Sequence, residues 1–174
     1  DWSKEAREFY QKNKTSNLLD QRFWFRTGIT YSELTSNQST FRVFPTGAIY
    51  DMGGPVFHPI RAEESELLLS LCNSPFAERI FDVLNPTMHL KVHDVKSLPV
   101  VEVDSQAVIK ATNVCVNIAR ADWDNFETSW DFHDQPLLRN GLKKQTLEKS
   151  WEEWATYLRR NISLMKELET MNNR

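Results

Sequence analysis

Four histidines, His58, His89, His93 and His133, are the first residues to test for chemistry. His89 and His93 stand four apart, the separation at which two imidazoles grip a metal from one helix face. Their stretch, Met88-His-Leu-Lys-Val-His93, reads as a strand instead. There, four residues at ~3.3 Å each hold the rings about 13 Å apart. Cys72 and Cys115 lack paired spacing and sit in apolar helical contexts, so they read as separate reduced thiols. No metal site is expected. The chain has no Gly-x-Ser-x-Gly elbow, P-loop or Gly-x-Gly-x-x-Gly. Its one glycine pair, Gly53-Gly54, follows a strand-like Ala48-Ile49-Tyr50 and precedes Pro55, which suits a turn better than a phosphate cradle. Glu63-Glu64 and Glu152-Glu153 read as solvated helix surface.

The most unusual cluster is Arg22-Phe-Trp-Phe-Arg26. In a strand, Arg22, Trp24 and Arg26 share one side and Phe23 and Phe25 the other. Two readings stay open: surface arginines over a phenylalanine core, or an Arg–Trp–Arg face that meets phosphates and bases.

The elements that must position these residues divide the chain into three. Residues 1–21 are an N-terminal helix, capped by Ser3, and a linker. Residues 22–103 form a mixed α/β domain. Its first part, 22–60, is rich in β-formers and carries four of the five glycines, which predicts three or four short strands with a turn at 36–39. From Glu64 an apolar block around Leu67–Cys72 predicts a helix, broken by Asn73-Ser74-Pro75, which starts another. Residues 88–92 and 98–103 read as strands. Residues 104–174 form a helical appendage. Asp104 caps a helix to about residue 126, residues 128–141 are irregular, and a last helix runs from about 142 to 171. Its residues Leu147, Trp151, Trp154, Leu158, Asn161, Met165 and Leu168 make a heptad seam for antiparallel pairing with the 104–126 helix. The fold class is α+β: a small twisted sheet with flanking helices, then a coiled-coil-like helical hairpin.

Charge restricts the partners. Residues 1–62 are net +2, residues 63–141 net −7 and residues 142–174 net +2, which gives −3 overall. A strong non-specific nucleic-acid binder is more basic than this, so any DNA contact is local and weak in isolation. No apolar run approaches the roughly 20 residues of a bilayer span, and free thiols suit the cytoplasm. The start Asp1-Trp2-Ser3, without Met or a signal region, reads as a segment of a longer protein.

Five phrases in order carry a resemblance. They are Arg22-Phe-Trp-Phe-Arg-Thr-Gly-Ile-Thr-Tyr-Ser32; Phe44-Pro-Thr-Gly-Ala-Ile-Tyr-Asp-Met-Gly-Gly-Pro-Val-Phe57; Leu84-Asn-Pro-Thr-Met88 with Val95-Lys-Ser-Leu-Pro99; Asp122-Trp-Asp-Asn-Phe-Glu-Thr-Ser-Trp-Asp-Phe132; and Pro136-Leu-Leu138 before the Trp-rich last helix. Together they resemble the C-terminal part of the PglX-like adenine-specific DNA methyltransferases of BREX phage-defence systems, and the restriction–modification enzymes with a TaqI-like specificity domain. That family transfers a methyl group from S-adenosylmethionine to adenine N6 through an Asn/Asp-Pro-Pro-Tyr/Phe motif. Here Asn85-Pro86 continues as Thr87-Met88. The resemblance therefore implies a non-catalytic portion, with catalysis and S-adenosylmethionine binding in an upstream methyltransferase domain of the same chain.

What remains would recognise double-stranded DNA. Arg and Lys neutralise phosphates, and Thr, Ser, Asn, Gln and Arg read base edges. On this reading the DNA-binding candidates are Arg22, Arg26, Thr30, Ser32, Asn37, Gln38, Arg42 and Lys91. The phrase at 128–132, with Trp130 and Phe132, reads as a staple of the helical appendage onto the sheet. The alternative function is a protein-interaction scaffold within the same defence complex, bound to other subunits without direct DNA contact.

Overall fold

Ser3, Ser74 and Thr146 each stand one residue ahead of a helix and accept a hydrogen bond from an N–H of its first turn, at 3.2, 3.2 and 3.3 Å. They start α1 (Lys4–Lys12), α3 (Pro75–Leu84) and α6 (Leu147–Asn172). Pro75 occupies the first turn of α3, where its missing N–H is no loss. The computed structural model describes residues 2–16, 18–36, 38–100 and 105–173. The expected cap at Asp104 lies outside them.

The sheet has three antiparallel strands, β1 (Gly28–Tyr31), β2 (Phe41–Phe44) and β3 (Val56–Phe57), in the order β2-β1-β3. Its register pairs Ile29 with Val43 and Phe57, and Thr30 with Arg42 and Val56. Alternation sends Ile29 and Tyr31 inward, each 2% exposed. Gly28 lets the strands approach: a Cβ there would stand 2.6 Å from Val56 Cγ1 and 2.7 Å from the Phe57 carbonyl.

Two helices close over this face, α2 (Ser65–Cys72) and α3. Leu69, Cys72, Ala77 and Phe81 join Ile29, Tyr31 and Phe41 in one core with Leu90 and Leu98. Phe41 stacks on Phe81 at 5.8 Å and tilts against Tyr31 at 5.1 Å. Asn73, between the helices, imitates a strand neighbour. Its Oδ1 accepts from Phe41 N–H at 2.9 Å, and its Nδ2 donates to the Phe41 carbonyl at 3.0 Å. Both backbone groups of an edge residue are thereby satisfied. The mixed α+β class is as expected.

Several expected elements differ. Residues 22–26 are not a strand: Gln21–Phe23 is a 3₁₀ turn, and Phe25 takes the left-handed backbone, φ 58°. Residues 48–50 are irregular. Residues 88–92 contribute only a bridge, Leu34 to His89, before the short helix α4 (Val92–Lys96). Asp94 explains that helix: its Oδ2 accepts from Lys91 N–H at 2.8 Å and closes the first turn. Leu98 to Val100 form no strand, and 101–103 lie outside the described residues.

The rest is helical. α5 (Ser105–Trp123) packs on α2, and α6 packs on α5. At the far end of α6, Asn172 accepts from Ser70 of α2 at 2.6 Å. The seam is real from Trp154 through Leu158, Asn161, Met165 and Leu168, but Leu147 and Trp151 at its start are 74% and 58% exposed. α6 also begins at 147, not 142, because Thr146 supplies the cap. Within the 128–132 phrase Trp130 is no staple, for it stands 94% exposed, whereas Phe132 is half-buried. Among the described residues no helix is long and apolar enough to cross a membrane.

Candidate functional site

Because β1 alternates, Thr30 faces away from the core, and the register places Arg42 of β2 beside it. Arg42 Nη2 donates to Ser32 Oγ at 3.1 Å. Thr30 Oγ1 lies 3.5 Å from the Gly54 carbonyl. These three candidates therefore converge on one patch. Arg42 is exposed and makes no ion pair among the described residues. Its five donors form a planar fork, and only one is engaged by Ser32. A phosphate or a guanine edge can take the rest.

Gln38 and Lys91 stand differently. Gln38 Nε2 donates to Glu78 of α3 at 3.0 Å. Lys91 Nζ pairs with Glu33, and this hydrogen bond holds the Glu33 carboxyl below the ordinary range. A cation already matched by a carboxylate is a poor phosphate ligand. Asn37 lies outside the described residues.

Arg22 and Arg26 form a second cluster at the opposite end of β1. Neither open reading of the Arg–Trp–Arg run survives in full. Trp24 turns inward, its Nε1 donating to the Leu19 carbonyl at 2.7 Å and its ring 5.0 Å edge-on from Trp2. Phe25 is exposed rather than core. Arg22 lies 4.6 Å over the Phe23 ring and 3.6 Å from Asp20. Arg26 Nη1 reaches the Arg22 carbonyl at 3.4 Å.

A residue group that sequence reasoning passed over joins this cluster. His58 stacks on Phe23 at 5.5 Å, its Nδ1 lies 2.8 Å from the Thr27 carbonyl, and its Nε2 lies 3.4 Å from Tyr50 Oη. Burial pushes the Tyr50 hydroxyl up, and Arg26 partly offsets this. The signal available was the His58–Pro59 step after the Gly-Gly-Pro turn, with no partner fixed by spacing.

The remaining motifs resolve into structure. Asn85 is fully engaged: Nδ2 donates to the His89 carbonyl and to Asp94 Oδ2, both at 2.7 Å, and Oδ1 accepts from Thr87 N–H and Oγ1. An amide so saturated cannot hold an adenine amino group. Burial raises the Asp94 carboxyl, but the Asn85 amide, the Lys91 N–H and the nearby His93 and Lys91 hold it below the ordinary range. The Gly53 and Gly54 N–H groups both point at Asp51 Oδ1, at 2.9 and 3.3 Å, so the pair forms a turn and does not fit a cofactor's phosphate or carboxylate. His93 lies on a helix beside Asp94 at 3.1 Å, and His89 lies 3.9 Å from Glu33. Among the described residues no three metal-ligating side chains converge. Both cysteines are free thiols, and burial pushes Cys72 up to about 12.

No protein-family model matches the chain. An adenine-specific methyltransferase PglX of Lacticaseibacillus casei (strain Zhang) is 30% identical over 164 residues, covering 91% of this chain and 14% of its own length. An adenine-specific methyltransferase BrxX of Escherichia coli O9:H4 (strain HS) is 26% identical over 132 residues, 75% of this chain and 11% of its own length. The chain thus spans about one-seventh or less of these relatives. Over most of its residues, it is a homologue of one segment of the PglX and BrxX adenine-specific methyltransferases.

Proposed function

We propose that this chain is the DNA-target-recognition portion of an adenine-specific N6 DNA methyltransferase and that it grips duplex DNA through the outer face of β1 and β2. The observation that carries this reading is the patch of Arg42, Ser32 and Thr30: an exposed guanidinium without an ion pair among the described residues, beside two half-buried hydroxyl groups on the strand face turned away from the core. Base-modifying enzymes flip the target out of the stack, so duplex contacts must hold the flanking DNA. Arg42 supplies a forked donor, and Ser32 orients it. Arg26, which makes no ion pair among the described residues, adds charge near the other end of β1, while Arg22 is matched by Asp20. S-adenosylmethionine, the methyl donor in such enzymes, belongs on this reading to the catalytic portion of the longer relatives.

Fluorescence titration of a short duplex at about 50 mM salt tests the reading. The expected affinity lies in the non-specific range, a dissociation constant of about 10⁻⁶–10⁻⁴ M, falling steeply with salt. Arg42→Ala weakens it at least about fivefold, as for a lost bidentate contact. Equal binding by an Arg26→Ala/Arg42→Ala double variant and the parent removes the patch from DNA recognition.

A further inference from the structure

The end of α5 and the connection to α6 carry large aromatic side chains that remain half or more exposed. Trp123 and Phe126 are 56% and 55% exposed, with ring centroids 6.5 Å apart, and Trp130 is 94% exposed. Exposed aromatics of this size on a floppy loop would mean little, but this loop is fixed. Arg139 Nη1 donates to buried Asn125 at 2.6 Å, buried Ser129 Oγ donates to Asp124 at 2.7 Å, and the Asp131 N–H returns to Ser129 Oγ at 3.2 Å. Polar groups hold the backbone from within while the aromatics point out. Such preorganisation removes the ordering cost a mobile loop would meet on binding.

Charge identifies what the face accepts. Residues 122–134 contain Asp122, Asp124, Glu127, Asp131 and Asp134, and neither Lys nor Arg, with Asp134 alone of these paired to a cation among the described residues, Arg139. Asp122 and Asp131 make no ion pair among the described residues. A surface of this sign repels nucleic acid and anionic membranes. Tryptophan and phenylalanine framed by carboxylates call for aliphatic side chains ringed by Lys and Arg.

We infer that this acidic, aromatic face docks a basic amphipathic helix of a protein partner, one that lays leucine-like side chains on Trp123, Phe126 and Trp130 and sets its cations against Asp122 and Asp131. This surface is separate from the β1–β2 patch, so the two readings stand or fall apart.

The test uses a synthetic 18-residue amphipathic Leu/Lys peptide without tryptophan, its Leu/Glu counterpart as control, and the intrinsic tryptophan fluorescence of the chain. The Leu/Lys peptide binds and is weakened by raised salt. Trp130→Ala weakens it about tenfold or more, the size of a central aromatic hot spot, with unfolding temperature unchanged. D122K/D131K switches preference to the Leu/Glu peptide. Arg42→Ala leaves peptide binding intact, whatever it does to DNA. Equal affinity for both peptides, no binding of either, or no loss in Trp130→Ala overturns the inference. Sedimentation of the chain as a dimer that Trp130→Ala dissociates overturns it too, with a second copy as the occupant.

Discussion

The sheet side and the helical side of this molecule use aromatic residues in opposite ways. Among the described residues, nine of the buried apolar residues lie between Ile29 and Leu98, and Ala111 and Trp154 lie beyond. On the sheet side, Tyr31, Phe41 and Phe81 stack on one another in the interior. On the helical side, Trp123, Phe126, Trp130 and Trp151 face solvent. The charge runs the other way: the sheet's outer face offers Arg42, and the helical turn offers a row of carboxylates. One chain thus carries an exposed arginine on one surface and exposed carboxylates on the other, the contrast on which the two proposals rest. Folding free energy concentrates in the first region, while the second keeps its apolar area available.

Substitutions in the core probe the sharpest side of that contrast. Phe81→Ala removes a ring stacked on Phe41 and leaves a cavity beneath the sheet. The expected loss is about 3–5 kcal/mol, the usual range for Phe→Ala in a core. Urea unfolding followed by circular dichroism measures it. A loss below about 1 kcal/mol would mean that the sheet side is not the main store of stability, and the comparison would fail.

Acid probes a smaller effect in the same region. The carboxyl of Asp94 is held below its ordinary range in the folded chain by Asn85, Lys91, and the nearby cations, against the opposing push of burial. A group with a depressed folded pKa contributes stability that is present above its unfolded pKa and lost as pH falls through the folded value. Unfolding temperature should therefore drop as pH moves from about 5 to about 3. Asp94→Asn should lower stability at pH 7 and flatten the slope in that window. An unchanged slope in Asp94→Asn would assign the acid limb to other groups.

How much of this was legible in the residues varies by cause. The caps Ser3 and Ser74, the Pro75 start and the strands β1 and β2 are local features, and local chemistry announced them, whereas β3 at Val56–Phe57 falls where a turn was expected. The pairing of Thr30 with Arg42 follows from register, which depends on a loop length that composition does not set. Residues 88–92 alternate as a strand should, yet only His89 makes a bridge, Asp94 closes a helical turn from Lys91 onward, and a hydrogen bond from Asn85 holds that carboxylate. Trp24 was misread for a similar reason, since its partner Trp2 comes from another element. The heptad at α6 was read about two turns too far, from Leu147 rather than Trp154, because spacing alone does not show where a partner helix ends. Trp130 carried the same ambiguity: a tryptophan in an irregular stretch looks like a staple until its surroundings are known.

The exposed aromatics give the smallest expected effect on the isolated chain. Trp130 is 94% exposed and makes no ring contact. Trp130→Ala should change stability by no more than about 0.5 kcal/mol, as for surface sites away from a core or cap. Its backbone is set by Ser129 and Asp124, which the substitution leaves alone. Differential scanning fluorimetry on parent and variant reads this directly. A drop of several degrees would show that Trp130 packs against the chain in solution, which would remove the aromatic face it is taken to form. An unchanged transition together with lost peptide binding separates docking from folding at this surface, because only a residue spent on an external contact can affect one without the other.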